Sequence, residues 1–262
     1  MAYYSYPYPS DTWPYKGLDY VSMPNLDAAK AAQMKNDGID FVGRYLYSVQ
    51  NPNGKGISAA EAQIYLDAGI RIFLYYEINT GDALGGWASG VANGRNAAAL
   101  AAALSIPAGT PIICCCDTSV TDADAQGVVL AYLQGFASEL PTYNVGIYGG
   151  ANVVEAAHNA NPDYNNVQAG AWGAQEFSPI FVRQWYIPKN NDALADGYIT
   201  INGVSIDSSG YASYGGASVD LLSAPSVVNM WGDPSPTPPG PGPGPTPTDR
   251  EKMPIWFYLR KF

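Results

Sequence analysis

Short apolar runs alternate with helical patterns between about residue 17 and residue 207. Eight of these runs have the length and the β-branched or aromatic content that strands require. They are Gly17–Val21, Phe41–Leu46, Ile70–Glu77, Pro111–Asp117, Val145–Tyr148, Val167–Trp172, Ile180–Tyr186 and Val204–Asp207. Because strands and helices alternate, the pattern predicts a parallel sheet covered by helices.

Helical patterns follow the first five predicted strands and fade beyond Tyr164. They cover residues 26–36, 58–69, 95–104, 121–140 and 151–159. Eight strands in a segment of this length predict an α/β fold, a compact (β/α)8 TIM-type barrel with degenerate late helices. The alternative is an open doubly wound sheet. That fold favours a glycine-rich phosphate loop after the first strand, where this chain reads LDYVSMPN.

Composition divides the 262-residue chain into four segments. Residues 1–15 are rich in Tyr and Pro, residues 16–232 have globular composition, and residues 233–249 contain eight prolines. Because proline interrupts helices and sheets, the third segment is predicted to be an extended linker. Residues 250–262 hold four of the 13 basic residues and one of the 23 acids, among many aromatic and aliphatic residues. We interpret this last segment as a docking tail.

The charge balance and the N-terminus exclude several classes of protein. The formal net charge is −10, whereas nucleic-acid binding requires a basic surface and an anionic membrane repels an acidic one. Residues 1–15 have neither the basic region nor the apolar run of a secretory signal peptide. No apolar run reaches the length of a membrane span. We therefore expect synthesis in the cytoplasm, no nucleic-acid partner and no membrane insertion.

The three cysteines, Cys114, Cys115 and Cys116, are consecutive within the fourth predicted strand. This spacing fits neither a zinc site nor a disulfide framework, so we expect buried, reduced thiols. The single histidine, His158, follows a short helical pattern, and we interpret it as a surface residue rather than a catalytic base. We expect no metal and no cofactor.

Acidic residues end four of the predicted strands: Asp19, Glu77, Asp117 and Asp207. Active sites of TIM-type barrels lie at the carboxyl ends of the strands. Because an unpaired buried carboxylate is costly, four acids at these ends indicate a functional cleft. The other polar and aromatic residues at these ends, which we predict to bind substrate, are Arg44, Tyr45, Tyr75, Tyr148, Trp172, Gln184 and Trp185.

Eight short motifs carry a resemblance to a known family. GLDY, FVGRYL, IFLYYEINT, IICCCD, GIYGG, AWGA, RQWYI and GVSIDSSG occur in this order over residues 16–210. The chain thereby resembles the glycoside-hydrolase-like barrel domain of actinobacterial and phage proteins. That domain is related to the family 25 glycoside hydrolases, the Chalaropsis-type lysozymes. The resemblance implies that Asp19, Asp117 and Asp207 line a glycan-binding groove.

The general acid of those lysozymes is the Glu of an Asp-x-Glu motif. Here the motif reads Asp117-Thr118-Ser119, so the Glu is absent, and Glu77 is the strand-end Glu that could replace it. Glycoside hydrolysis needs a proton donor and a second carboxylate. We assign Glu77 as the acid and Asp117 as the group that stabilises positive charge or orients an N-acetyl group. Asp19 and Asp207 tune these two acids. Tyr148, Trp172 and Trp185 stack on sugar rings. Arg44 neutralises the charge of the acids or binds a carboxylate of the substrate.

Two classes of function fit these observations. One is a phage tail-associated virion protein, made in the host cytoplasm, whose lysozyme-like barrel hydrolyses cell-wall polysaccharide or peptidoglycan. The other is a non-catalytic glycan-binding or purely structural minor tail protein; a free endolysin is a further alternative. In the virion hypotheses, residues 250–262 bind other virion proteins, with residues 1–15 as the second candidate.

Overall fold

The computed structural model describes residues 13–47, 54–170, 177–185, 199–207 and 210–233. The predicted docking tail, and nearly all of the predicted linker and of the Tyr/Pro-rich segment, lie outside these residues. The strands in chain order are β1 (Tyr15–Asp19), β2 (Ile39–Tyr45), β3 (Arg71–Tyr76), β4 (Pro111–Cys115), β5 (Asn144–Gly149), β6 (Val167–Gln168), β7 (Val182–Trp185), β8 (Ser205–Ile206), β9 (Ala212–Tyr214), β10 (Ala217–Ser218) and β11 (Asp220–Ala224).

Eight of these strands close into a barrel in the order β1-β11-β7-β6-β5-β4-β3-β2. Strands β1 to β7 are parallel, and β11 runs antiparallel to both of its neighbours, β1 and β7. The prediction of an α/β fold with a TIM-type barrel is therefore confirmed. The open doubly wound sheet is excluded because the strands form a closed ring.

Helices follow each of the first five strands. They are α1 (Ala28–Asn36), α2 (Ala59–Asp67), α3 (Gly86–Ala103), α4 (Asp122–Asp124), α5 (Leu130–Ser138) and α6 (Ala151–Ala160). A single 3-10 turn precedes α3, and a π-helical turn at Ala125–Val129 joins α4 to α5. The described residues contain no helix beyond α6 and none that is long and apolar enough to cross a membrane.

Helix α3 begins nine residues earlier than its predicted start at Arg95, and two glycines in its first half, Gly90 and Gly94, let it pack closely against α5. Gly90 shows how close the two backbones are. A Cβ atom at this position would lie 2.1 Å from the carbonyl oxygen of Tyr132. Glycine lowers helix propensity, so the sequence pattern alone underestimated this helix.

The predicted eighth strand, Val204–Asp207, is wrong. Its central residues form β8, which belongs to a separate antiparallel sheet with β9 and β10. The barrel is closed instead by β11, in which every residue after Asp220 is buried. Strand β11 places Asp220 opposite Asp19 and Leu222 opposite Gln184.

Side chains of alternate residues point to opposite faces of each barrel strand, and this alternation produces two packed layers. One layer fills the lumen; among its residues are Phe41, Phe73, Tyr75, Ile113, Val182 and Leu222. The other lies between the strands and the surrounding elements; among its residues are Leu18, Val42, Leu74, Ile112, Ile147 and Leu221. The position of a residue within its strand therefore decides whether its side chain reaches the lumen.

The cysteines lie in and directly after β4, where all three are free and buried. Burial is the largest cause that raises the pKa of each thiol, to about 11 for Cys116. A thiol with a raised pKa forms little of the reactive thiolate. The prediction of buried, unpaired cysteines is confirmed.

Candidate active site

Two aspartates from neighbouring strands meet at one end of the barrel. Asp19 is the last residue of β1 and Asp220 the first residue of β11. Because β11 is antiparallel, its beginning lies at the same end as the carboxyl ends of the parallel strands, directly opposite Asp19. Asp19 is only 3% exposed, whereas Asp220 opens to solvent at the rim of the site.

A glutamine amide joins these two carboxyl groups. The Gln184 Nε2 atom donates to Asp19 Oδ2 and to Asp220 Oδ2, each at 3.2 Å. The hydroxyl groups of Tyr75 and Tyr148 complete the network. Tyr75 donates to Asp19 Oδ2 at 3.3 Å, and the Tyr148 hydroxyl lies 2.8 Å from Gln184 Oε1. Five side chains, one from each of five strands, are thus held in one hydrogen-bonded group.

Burial and the negative charge of a neighbouring aspartate, Asp220 for Asp19 and Asp117 for Asp220, raise the pKa of both groups. For Asp19 the largest cause is desolvation, followed by the charge of Asp220, and the pKa lies well above the usual 3.8. For Asp220 desolvation also dominates, since protein atoms crowd its carboxyl group although the side chain reaches the rim, and the pKa rises to about 6. A hydrogen bond between the two groups stabilises a proton on Asp19. The pair therefore retains a proton near neutral pH.

Glu77 and Lys55 form an ion pair at the same end of the barrel. The Lys55 Nζ atom lies 2.6 Å from Glu77 Oε2 and 4.3 Å from the centre of the Tyr45 ring. Glu77 is 8% exposed. An ion pair with an ammonium group requires a carboxylate, so this geometry presents Glu77 as a fixed negative charge more than as a proton donor.

Three tyrosine rings line the lumen beneath the acids. The ring centroids of Tyr45 and Tyr75 are 5.6 Å apart, and those of Tyr75 and Tyr148 are 5.7 Å apart. Asp117 follows β4 at the same end, and its negative charge raises the pKa of Tyr148 after the larger effect of burial. The structure thus brings together most of the predicted site: Asp19, Glu77, Asp117, Tyr45, Tyr75, Tyr148 and Gln184.

A cleft of about 340 Å³ lies beside the Asp19–Asp220 pair. One wall is the loop after β1, and the other is the hairpin of β9 and β10. The hairpin is held in place by two anchors: Lys30 Nζ donates to the Gly215 carbonyl oxygen at 2.9 Å, and Tyr214 donates to Asp37 Oδ2 at 2.7 Å. The residues that line the cleft are Asp19, Tyr20, Val21, Ser22, Pro24, Tyr45, Gly216, Ala217, Ser218, Val219 and Asp220.

Two residues predicted to bind substrate do not face this cleft. Arg44 lies on the outward face of β2, fully buried, with its Nε atom 2.6 Å from Glu61 Oε1 on α2. Trp185 lies on the outward face of β7, where its Nε1 atom donates to Ser223 Oγ at 2.9 Å. Both predictions are wrong for the same reason. Each residue is one position out of phase with a lumen-facing neighbour, Tyr45 or Gln184.

Asp207 is also absent from the site, which corrects a third prediction. It is an exposed residue of the turn between β8 and β9, where its Oδ1 atom accepts a hydrogen bond from the Tyr211 amide at 3.0 Å. His158 lies in the last turn of α6, half-buried against the ring of Phe177. Trp172 lies outside the described residues, so its predicted role in sugar stacking stays a prediction.

Two residues of the site, Asp220 and Lys55, were not predicted from the sequence. Asp220 opens the apolar run DLLSA, a pattern that signals a strand, but it stands at the start of that run and not at a strand carboxyl end, where the predicted acids lie. Lys55 stands in a loop with no periodic pattern, so no sequence signal marks it. Within the described ranges, no three His, Cys, Asp or Glu side chains are grouped so that they could hold a metal ion.

Comparison with solved structures supports the fold. The Tat-secreted protein Rv2525c of Mycobacterium tuberculosis, in complex with L-tartrate, superposes with a TM-score of 0.62 at 20% identity, covering 83% of this chain and 99% of that one. An uncharacterized protein from B. stearothermophilus superposes with a TM-score of 0.51 at 17% identity, covering 80% of this chain and 95% of that one. At these identities the likeness concerns the fold alone.

Sequence comparison adds a relative and a family. The uncharacterized protein YbfG of Bacillus subtilis is 28% identical over 148 residues, which is 49% of this chain and 19% of that protein. This chain thus matches about a fifth of that relative's length. The family described as Rv2525c-like, glycoside hydrolase-like domain matches residues 32–207. Asp19 and Asp220 both lie outside that match, so it is the barrel geometry that joins them. Because the match spans more than half of the chain, the chain belongs to the Rv2525c-like glycoside hydrolase-like domain family.

Proposed function

We propose that this domain binds cell-wall glycan, in particular peptidoglycan, in the cleft beside Asp19 and Asp220, and hydrolyses a glycosidic bond there. The observation that carries the proposal is the pair itself, two hydrogen-bonded carboxyl groups whose pKa values are raised. A general acid needs a proton at working pH, and a raised pKa supplies it. Membership of a glycoside hydrolase-like family and tyrosine rings beside the acids also support a sugar ligand.

The pair acts as one proton-holding unit in this proposal. The two carboxyl groups of glycosidases lie about 5–5.5 Å apart in retaining enzymes and about 6.5–9.5 Å apart in inverting ones. Asp19 and Asp220 stand opposite each other in the β1–β11 pairing and share the Gln184 amide, so the two carboxyl groups together fill the place of the proton donor. The second carboxylate is therefore assigned to Asp117 or Glu77, which follow β4 and β3 at the same end of the barrel.

The Asp19–Asp220 pair supplies the proton that the reaction consumes and takes one back at the end. The pair donates its proton to the glycosidic oxygen as the bond from that oxygen to the anomeric carbon breaks. Negative charge from Asp117 and Glu77 stabilises the positive charge that develops on the sugar ring. Water then adds to the anomeric carbon, and its proton returns to the carboxylate pair.

The test is release of reducing ends from purified peptidoglycan by the full chain and two matched variants. Asp19→Asn should lower the rate by about 10²- to 10⁴-fold, the effect typical of losing general acid–base catalysis. Asp207→Asn makes the same chemical change in the exposed β8–β9 turn and should leave the rate unchanged. Equal rates for wild type and Asp19→Asn would remove the pair from the mechanism.

Glycan binding without hydrolysis is the second candidate function. Two observations favour it: Glu77 is held by Lys55, and the segment Asp117-Thr118-Ser119 has no glutamate. In this case wild type sediments with insoluble peptidoglycan but releases no reducing ends. Tyr45→Ala, which removes a ring from the cleft wall, should then reduce the sedimented fraction.

We further propose that the barrel is carried on a phage tail as a virion protein, with residues 250–262 as its attachment segment. The support is compositional: aromatic and basic side chains follow a proline-rich linker, and aromatic residues and arginine dominate binding energy at interfaces. Deleting residues 250–262 should leave a folded barrel that no longer incorporates into particles. Normal incorporation of the shortened chain would overturn this attachment role and move attention to residues 1–15.

A further inference from the structure

Gln184 and Tyr148 were expected from the sequence to contact substrate, but their hydrogen bonds point elsewhere. The Gln184 Nε2 atom lies 3.2 Å from an oxygen of each aspartate, and its Oε1 atom lies 2.8 Å from the Tyr148 hydroxyl. Both ends of the amide are thus occupied by protein groups. Tyr148 is itself buried among lumen residues, with its ring against that of Tyr75.

We infer that Tyr148 and Gln184 are positioning residues. The Tyr148 hydroxyl holds the Gln184 side-chain amide in the orientation in which both of its N–H groups face the Asp19–Asp220 pair. An amide has a donor end and an acceptor end, and it can rotate to exchange them. The Tyr148 hydroxyl donates to Oε1 and so favours the rotamer in which Nε2 faces the acids. For its consequence in hydrolysis, this inference rests on the proposed function.

The orientation of the amide decides how tightly the pair holds its proton. An N–H group directed at a carboxylate stabilises the charged form and lowers its pKa, and the Gln184 hydrogen bond does this to Asp19. A carbonyl oxygen directed at the same carboxylate would do the opposite. Tyr148 therefore opposes the effect of burial and keeps the pair able to release its proton as well as to hold it.

Other groups near the pair also influence the pKa of Asp19. Tyr75 donates a second hydrogen bond to Asp19 and also lowers the pKa of that carboxyl. The other titratable and charged groups at this end of the barrel are Tyr45, Tyr75, Glu77 with Lys55, Cys115, Asp117 and Tyr148. All of them except Tyr148 remain in place when the Tyr148 hydroxyl is removed.

The experiment follows the Asp19 carboxyl carbon by NMR across a pH titration of the full chain. Tyr148→Phe removes the hydroxyl that orients the amide, and Gln184→Met removes the amide at similar volume. Each should raise the Asp19 titration midpoint by about one pH unit, with Gln184→Met at least as effective. Tyr132→Phe is the matched control, since its hydroxyl contacts Asn93 between α3 and α5, away from the pair.

Unchanged midpoints in folded Tyr148→Phe and Gln184→Met would overturn the inference. If a variant fails to fold, the wild-type Gln184 side-chain amide resonances provide the test, because they should shift with the same midpoint as Asp19. Amide resonances that stay constant over that range would contradict the proposed contact. The titration does not depend on hydrolysis. Moved midpoints in a protein that cleaves no glycan would retain the positioning role and reject the catalytic function.

Discussion

The two sides of the barrel bring acids to the site by different routes. On the helical side, β1 to β5, each strand runs parallel and is followed by a helix, and acids stand at or just after strand carboxyl ends, as Asp19, Glu77 and Asp117 do. On the closing side, β6, β7 and β11, the last strand is antiparallel, and Asp220 stands at its beginning. An acid at the start of a strand thus completes a site that a parallel barrel would build only from strand ends.

The first prediction concerns an outward-facing cation of the helical side. Arg44→Met removes the partner of Glu61 and the Arg44 hydrogen bond to the Tyr20 carbonyl oxygen. Breaking a buried ion pair costs about 3–5 kcal/mol, and we expect about 3 kcal/mol here because Glu61 keeps some contact with water. Urea unfolding measures the loss. Arg95→Met breaks an exposed pair with Glu139 and should cost less than about 1 kcal/mol.

This comparison tests whether the Arg44 side chain lies on the outward face of β2. If Arg44→Met unfolds at the wild-type urea concentration but binds peptidoglycan more weakly, Arg44 belongs to the cleft after all. The helical side would then present an arginine to the ligand, as the sequence had suggested.

The second prediction compares two glycines of the helical side with one in the hairpin that walls the cleft. Gly90→Ala forces a Cβ atom against the Tyr132 carbonyl oxygen and should cost about 2–3 kcal/mol in the free energy of unfolding. Gly216→Ala, in the hairpin of β9 and β10, meets only Pro24 at 4.0 Å but has a φ of +88°, so its cost of about 1 kcal/mol comes from backbone strain. Gly127→Ala has neither problem and should be neutral or slightly stabilising. Equal stability of Gly90→Ala and Gly127→Ala would contradict the close packing of α3 on α5.

The sequence was informative wherever a periodic pattern continued over several elements. The parallel strands up to β5, the capped start of α2 at Ser58 and the buried cysteines all follow from local patterns that their surroundings reinforce. The lumen-facing residues Asp19, Tyr45 and Tyr75 were found by the same route. Most of the site on the helical side could therefore be predicted.

The incorrect predictions have one physical origin, because each depends on strand pairings between residues that are distant in sequence. A shift of one residue sends a strand side chain to the opposite face, and this separates Arg44 from Tyr45 and Trp185 from Gln184. Whether Val204–Asp207 or Asp220–Ala224 closes the barrel is decided by which run can pair with both β1 and β7. No local pattern around Asp220 reports that Asp19 lies opposite it.

The central claim is that Asp220, and not Asp207, faces Asp19, and the most direct test is the NMR titration of the Asp19 carboxyl in three proteins. The negative charge of Asp220 and its hydrogen bond both raise the pKa of Asp19. Asp220→Asn should therefore lower the Asp19 midpoint by about one pH unit or more relative to wild type. Asp207→Asn should leave the midpoint where it is. A midpoint that moves in Asp207→Asn and stays constant in Asp220→Asn would contradict the antiparallel closure and the site built on it.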